Sequence, residues 1–369
     1  MRRWRKIVSG LAVVGVVSGV SMAAALRHDS ACPPAAGPDT GTTTMKALQQ
    51  RCYGGPELLA IRDVARPEVA DDAVLVRVHA AAVNPLDWHF MRGKPYVMRF
   101  DSGFGAPKDV RVGVDFAGTV AAIGKSVTRF KVGERVFGAS NGALAEYVAV
   151  RESHPIVAIP EPVSFAEAAA VPVAGMTALQ ALRDKAKVTT GQKVLINGAS
   201  GGVGTYAVQI AKALGAEVTG VCSTRNVELV RSLGADHVVD YTRENVTQGN
   251  VRYDVIIDTV GTHTVSDYRR VMTPQGVLVV VGSLDDGAYL GPVKTMVKAK
   301  AGGLFGSQRV ELFLSTASAT DLGVLRDLMQ QGKLRSAIDR TYPLAEAADA
   351  IAYLETGRAR GKVIVDLAK

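Results

Sequence analysis

The chain is poor in aromatic residues, cysteine and histidine. Aromatics make up 6% of its 369 residues, and there are three cysteines and six histidines. Cys32, Cys52 and Cys222 are too few and too scattered for a disulfide framework or a Cys-x-x-Cys metal knuckle, and the body has the style of a cytosolic fold. The histidines stand apart from one another. Charge of one sign is also not concentrated. The formal net charge is +8, yet no Lys/Arg-rich run marks the body, so no nucleic-acid partner is expected. What is plentiful is glycine, 38 residues, within a chain that is 47% hydrophobic, and that mixture suits layered α/β architecture. The length exceeds what one compact core needs, so two domains are expected.

The N-terminus differs from the body. The first 44 residues hold five Lys/Arg side chains against two acidic ones, and four of the five lie in the opening MRRWRK. Residues 7–26 then carry no charge. As a helix, at about 1.5 Å per residue, that run is roughly 30 Å long, enough to cross a bilayer. It is expected to anchor the chain in a membrane. A cleaved signal peptide is the alternative, with Ala23, Ala24 and Ala25 offering small residues to a peptidase. The cations ahead of the run would put the N-terminus on the cytosolic side and the body on the other. The segment DSACPPAAGPDTGTTT that follows is a linker by composition.

Two textures follow Met45. Residues 73–82 alternate as a strand, and residues 113–138 are glycine-punctuated with β-branched residues between, the pattern of short strands and tight turns. At Ser164 the texture turns helical, and Glu167 three residues on makes a capping box. From Lys193 strands and helices alternate: KVLIN, EVTGVC, DHVVDY, YDVIID and GVLVVV are apolar runs without alternation. Such strands are buried on both faces, which means a parallel sheet.

Between the first of these strands and the next helix lies INGASGGVG, with Gly198, Gly201 and Gly204 spaced G-x-x-G-x-x-G. Strand, glycine turn and helix within a βαβ unit are the arrangement that seats a dinucleotide diphosphate on the free amides of a helix start. An acidic residue at the end of the second strand would accept the ribose 2′-hydroxyl of NAD. Here Ser223, Thr224 and Arg225 stand instead, two hydroxyls and a guanidinium that suit a 2′-phosphate, so the expected cofactor is NADPH. An NADPH-dependent body points to the cytosol, against the charge pattern of the N-terminus, so the side of the membrane stays open.

Taken in order, VNPLDWHFMRG, GVDFAG, FKVGERVFG, VPVAGMTALQAL, NGASGGVG, GADHVVDY and YPLAEAADAIAYLETGRARGKVIV cover the body from Met45 to Leu367. These stretches resemble the medium-chain dehydrogenase/reductase superfamily, and within it the zinc-independent quinone oxidoreductase branch with a reticulon-interacting-protein-like layout. The resemblance implies a GroES-like β-barrel domain over residues 45–168, completed by 312–369, around a Rossmann domain of doubly wound parallel sheet over 169–311. The zinc branch places its catalytic ligands at positions that are Asn84, Val114 and Val173 here, none of them a thiolate or imidazole.

The implied reaction is metal-free: hydride passes from NADPH to a quinone or an α,β-unsaturated carbonyl, whose conjugation spreads the charge. The resemblance puts Asn84 against the nicotinamide, bonding the substrate oxygen, with Tyr96 lining the pocket as a donor. Asp87 is a cap or a catalytic group, His89 an ordinary polar residue, and Arg92 stands one residue late for the branch's pattern. Ser200, Gly202, Val203, Ser223, Tyr241 and Gly282 would line the NADPH channel, with Thr177 beginning a helix near the nicotinamide and Lys362 reaching the cofactor. Residues 289–306 form either a basic amphipathic helix on a membrane or a lid or dimer element, which leaves a homodimer open. The alternatives to a quinone or enone reductase are an alcohol dehydrogenase or carbonyl reductase and a non-catalytic NADPH-binding redox sensor.

Overall fold

The computed structural model describes residues 25–34, 43–282, 287 and 307–368. The apolar run 7–26 lies outside them except for its last two residues, and so does all of 289–306. Among the described residues no helix is long and apolar enough to cross a membrane.

The body opens on an antiparallel pair, β1 (Thr44–Gln50) and β2 (Leu59–Ala65). Next come β3 (Ala73–Val83), β4 (Asp115–Ile123), β5 (Arg135–Ala139), β6 (Tyr147–Arg151) and β7 (Ile156–Ala158), with helix α1 (Pro85–Arg92) after β3. β3 is almost entirely buried, because it is paired on both edges and covered on both faces. The helical texture from Ser164 resolves into two helices, α2 (Phe165–Ala169) and α3 (Pro172–Gln180). Pro172 has no N–H to continue α2 and suits the first turn of α3. The expected capping box is present: the Glu167 amide donates to Ser164 Oγ at 3.2 Å, and Glu167 Oε2 accepts from the Ser164 amide at 3.0 Å.

The alternating half follows: β8 (Lys193–Asn197), α4 (Gly202–Ala213), β9 (Glu217–Cys222), α5 (Val227–Ser232), β10 (His237–Asp240), β11 (Tyr253–Asp258), β12 (Met272–Val280) and β13 (Arg309–Leu312). All pairings in this sheet are parallel, in the order β10-β9-β8-β11-β12-β13. The order reverses between β8 and β11, which opens a crevice outside their carboxyl ends. α6 (Ala319–Gln330) lies on α3. The chain then returns through β14 (Ile338–Pro343), α7 (Ala347–Glu355) and β15 (Lys362–Asp366), and β15 joins the first sheet beside β3. One apolar core crosses the junction, with Ala82 and Phe137 from the first sheet, α3 between the sheets, and Val194 and Ile196 from the second.

Two expectations fail at the N-terminus. Cys32 and Cys52 form a disulfide, with Cα atoms 5.1 Å apart. The residues just before Cys32 behave as part of the body rather than as a free linker. Arg99, only 1% exposed, donates to the carbonyls of Leu26 and His28 at 2.9 and 3.2 Å and pairs with Asp29 at 2.8 Å. A buried guanidinium needs such partners, and this strap supplies them. Opening the bridge in Cys52→Ala is expected to lower unfolding free energy by about 2 kcal/mol, since a loop closed over 20 residues no longer restricts the unfolded chain. Denaturant melts check this, and an unchanged midpoint would mean that the bridge adds no stability.

Candidate functional site

The glycine turn sits at the switch point between β8 and β11. Gly198 has φ +85°, and a side chain there would collide with Thr259 and Val260 at the end of β11. A Cβ on Gly204 would overlap the Gly198 carbonyl oxygen and lie 2.8 Å from Ala199 Cα. The turn is closed by the Gly201 amide donating to Gly198 O at 3.0 Å. α4 starts immediately after it, so the amides of Gly202, Val203 and Gly204 lack carbonyl partners within the helix. Gly282, after β12, opens onto the same end of the sheet, its amide turned to Asp258 O.

Asn226 ties the turn to the second strand. Its Nδ2 donates to Ser200 Oγ at 2.9 Å and Ser223 Oγ at 3.3 Å, while its buried Oδ1 has no partner. An unpaired buried acceptor beside a glycine cradle fits a hydroxyl-bearing ligand such as a ribose, so the residues present suit a dinucleotide. The sequence reading missed Asn226, although its place three residues after Ser223 offered a signal. At the end of β9 one expectation needs correction. The Thr224 hydroxyl is not turned toward a ligand: it donates to Asp240 at 2.5 Å, a bond that helps hold that carboxyl below its usual range. Arg225 extends to the segment ahead of β15, donating to Arg358 O at 2.7 Å, and Tyr241 stands 63% exposed.

A second cluster lies where the two sheets meet. Lys362 Nζ donates to Asn84 Oδ1 at 2.5 Å and reaches Asp115 Oδ2 at 3.3 Å. Asn84 Nδ2 donates to the same Asp115 oxygen at 2.9 Å, and the Val173 amide donates to the other at 3.0 Å. All three side chains are buried. Burial pushes the Asp115 carboxyl up, opposed by the Lys362 charge and these donors. The cluster touches the glycine turn. Gly361 donates to Ser200 O at 2.8 Å, and the Lys362 stem passes 3.3 Å from where a Cβ on Gly202 would stand.

Residues 70–161 match a family model described as the alcohol dehydrogenase GroES-like domain, and residues 233–365 one described as zinc-binding dehydrogenase. A chloroplast envelope quinone oxidoreductase homolog of Arabidopsis thaliana is 35% identical over 87% of this chain and 98% of its own. A 2-methylene-furan-3-one reductase of Solanum lycopersicum is 33% identical over 91% and 84%. The solved quinone oxidoreductase of Coxiella burnetii superposes with TM-score 0.74 at 30% identity, covering 88% of this chain and all of that one. This chain belongs to the medium-chain dehydrogenase/reductase superfamily.

It is therefore an oxidoreductase with a GroES-like domain and a Rossmann-type sheet. Asn84 and the Val173 amide, from two of the three positions that the sequence resemblance assigned to zinc ligands, both bond the carboxylate of Asp115, next to Val114. Among the described residues no group of three His, Cys, Asp or Glu side chains converges as a metal site.

The other site residues divide. Asn84, expected to bond a substrate oxygen, has its amide engaged by Asp115 and Lys362 inside the core. Tyr96 belongs to a different cluster, its ring 4.7 Å from the Arg99 guanidinium. Thr177 does not begin a helix. It lies within α3, donating to Val173 O at 2.7 Å and hydrogen-bonded to Ser315 Oγ at 2.8 Å. His89 is paired through Nδ1 with Lys94 O at 2.9 Å, and Arg92 makes a bidentate pair with Glu355 that staples α1 to α7.

Asp87 takes the capping role. Its Oδ2 accepts from the Asn84 amide at 2.7 Å. Burial pushes its carboxyl up to about 7; the Asn84 amide opposes this and the Asp115 charge adds to it. The folded chain keeps this proton to about pH 7, whereas the unfolded chain releases it near pH 4. Its contribution to stability is thus full below about pH 4 and is lost as the pH rises to 7, by a few kcal/mol. Asp87→Asn is expected to flatten that fall in denaturant melts taken across the interval. An unchanged slope would show that Asp87 ionises normally.

Proposed function

We propose that this protein is an NADPH-dependent reductase that works without a resident metal and delivers hydride to a quinone or an α,β-unsaturated carbonyl. The observation that carries the reading is the lysine–aspartate–asparagine cluster joined to the glycine turn, at the positions where zinc-dependent members hold their ion. The names of the relatives, quinone oxidoreductases and an enone reductase, support the same class of acceptor. When bound, NADPH supplies the hydride. The turn and the first amides of α4 receive its diphosphate, Asn226 Oδ1 accepts from a ribose hydroxyl, and Ser223 with Arg225 faces the 2′-phosphate. Asn84 holds Lys362, and both fix the edge of the substrate domain against the turn. A conjugated acceptor disperses its own developing charge, so no Lewis acid is required.

The test is oxidation of NADPH by purified protein against a panel of quinones and enones. Turnover on simple alcohols or ketones with stoichiometric zinc would replace this reading with an alcohol dehydrogenase. Binding without turnover on any acceptor would replace it with a redox-sensing role. In the same assay Arg225→Ala is expected to lower the preference for NADPH over NADH, as a ratio of kcat/KM, by about tenfold, the equivalent of ~1.4 kcal/mol. An unchanged ratio would remove Arg225 from the 2′-phosphate.

We also place the body on the non-cytosolic side of a membrane, held by residues 7–26. The Cys32–Cys52 bridge supports this, because disulfides persist in oxidising compartments. Protease access to a C-terminal reporter in intact and opened cells decides the side.

A further inference from the structure

The strap does more than cover Arg99. It sets where the N-terminal apolar run leaves the body. Leu26 is buried, its carbonyl is held by Arg99, the Ser30 amide donates to Gly105 O at 2.9 Å, and Cys32 is bridged to Cys52. The described chain therefore begins, at Ala25, one residue from an anchored point. The surface at this exit is unusual for the molecule. Phe100 and Phe104, between the strap contacts at Arg99 and Gly105, are 47% and 51% exposed and stack edge to face with centroids 5.5 Å apart. Two exposed phenylalanines stacked on each other form an apolar patch that needs a reason. The same segments expose charges of both signs, Arg27 and Asp29 in the strap and Asp101 and Lys108 around the rings, and the Lys108 amide donates to Ser102 O.

We propose that this face lies on a lipid bilayer, with Phe100 and Phe104 entering the interfacial region. The inference rests on the reading of residues 7–26 as a membrane anchor and goes beyond it, because an anchor alone leaves the body free to tumble on its tether. The strap removes that freedom. Hydrogen bonds, an ion pair and a disulfide fix the exit point next to the patch, so a run inserted in the bilayer carries Phe100 and Phe104 to its surface. Exposed apolar rings beside the exit of an apolar run are what such a surface takes up. Tyr96, the ring on the other side of Arg99, then belongs to the half of the substrate domain nearest the bilayer.

The test uses the full chain in vesicles of equal parts phosphatidylcholine and phosphatidylglycerol, with acyl chains either brominated or plain. In a Trp4→Phe background, Phe104→Trp adds one reporter indole, and Phe100→Trp provides a second site should the first variant fold poorly. The expected result is that the chain sediments with the vesicles and that the added emission falls by about half in brominated lipid, as for an indole at the headgroup–acyl boundary. Sedimentation with equal emission in the two lipids would overturn the proposal while leaving the anchor intact. If that indole were also shielded from aqueous quencher, the patch would be covered by protein, either the chain's own N-terminal segment or a second copy. Failure to sediment would remove the anchor and, with it, the bilayer as the partner of this face.

Discussion

Gly204→Ala is expected to weaken NADPH binding by at least about a hundredfold, equivalent to ~2.7 kcal/mol. The new Cβ would overlap the Gly198 carbonyl oxygen and press on Ala199 Cα at 2.8 Å. Both neighbours are backbone, so no rotamer relieves the clash. Either the start of α4 moves away from the turn or the turn opens, and in each case the amides that should converge on the diphosphate separate. Gly202→Ala is the matched control. Its Cβ meets a side-chain carbon of Lys362 at 3.3 Å and the Gly361 carbonyl oxygen at an ordinary 3.6 Å, and the expected loss is less than about tenfold, since a few tenths of an ångström of movement suffices. Calorimetric titration measures both. Wild-type affinity in Gly204→Ala would show that the glycine turn does not seat the cofactor.

Lys362→Met is expected to cost about 3–5 kcal/mol of stability, the range for removing one partner of a buried pair. Asp115 would keep its bonds from Asn84 and the Val173 amide but lose its cation, and Asn84 Oδ1 would lose its donor. Methionine nearly matches the lysine stem in volume, so the loss reports on charge rather than on a cavity. Its pH dependence follows from sign. Burial already raises the Asp115 carboxyl and Lys362 opposes the rise, so the variant raises it further. A group with a raised folded value stabilises at low pH and loses that contribution as the pH increases. The deficit of the variant should therefore be smallest in acid and grow toward neutrality. Denaturant melts of Lys362→Met beside the double variant with Asp115→Asn check this, the double variant recovering part of the loss. A single variant as stable as wild type would mean that the pair is not charged.

The sequence was most informative where local pattern and tertiary role coincide. β8 carries the unbroken apolar run Val194, Leu195 and Ile196 because both of its faces are buried there, and that is visible in the letters. The capping box at Ser164 is a three-residue contact, so it shows in the sequence and holds in the structure. Gly198 and Gly204 are required by contacts of the turn with its immediate surroundings. Thr224 shows where this logic stops. Its hydroxyl looked available for a phosphate, but β10 brings Asp240 alongside from 16 residues away, and a carboxylate is the stronger local acceptor. Asn84 is a parallel case: its Nδ2, the donor a substrate oxygen would need, is turned to Asp115 from 31 residues away, and its oxygen accepts from Lys362, 278 residues further on.

The sequence by itself determined the two-part architecture, the parallel sheet, the glycine turn after its first strand and the family, because hydrophobic period and glycine spacing are consequences of short-range sterics and burial. Only the tertiary structure decided that Asn84, Asp115 and Lys362 share one buried cluster, that Asn226 bridges the turn to the second strand, and that the segment before Cys32 is bound to Arg99 and bridged to Cys52. Those pairings depend on which distant elements are carried together, and desolvation of a charge selects its partner by distance in space rather than along the chain.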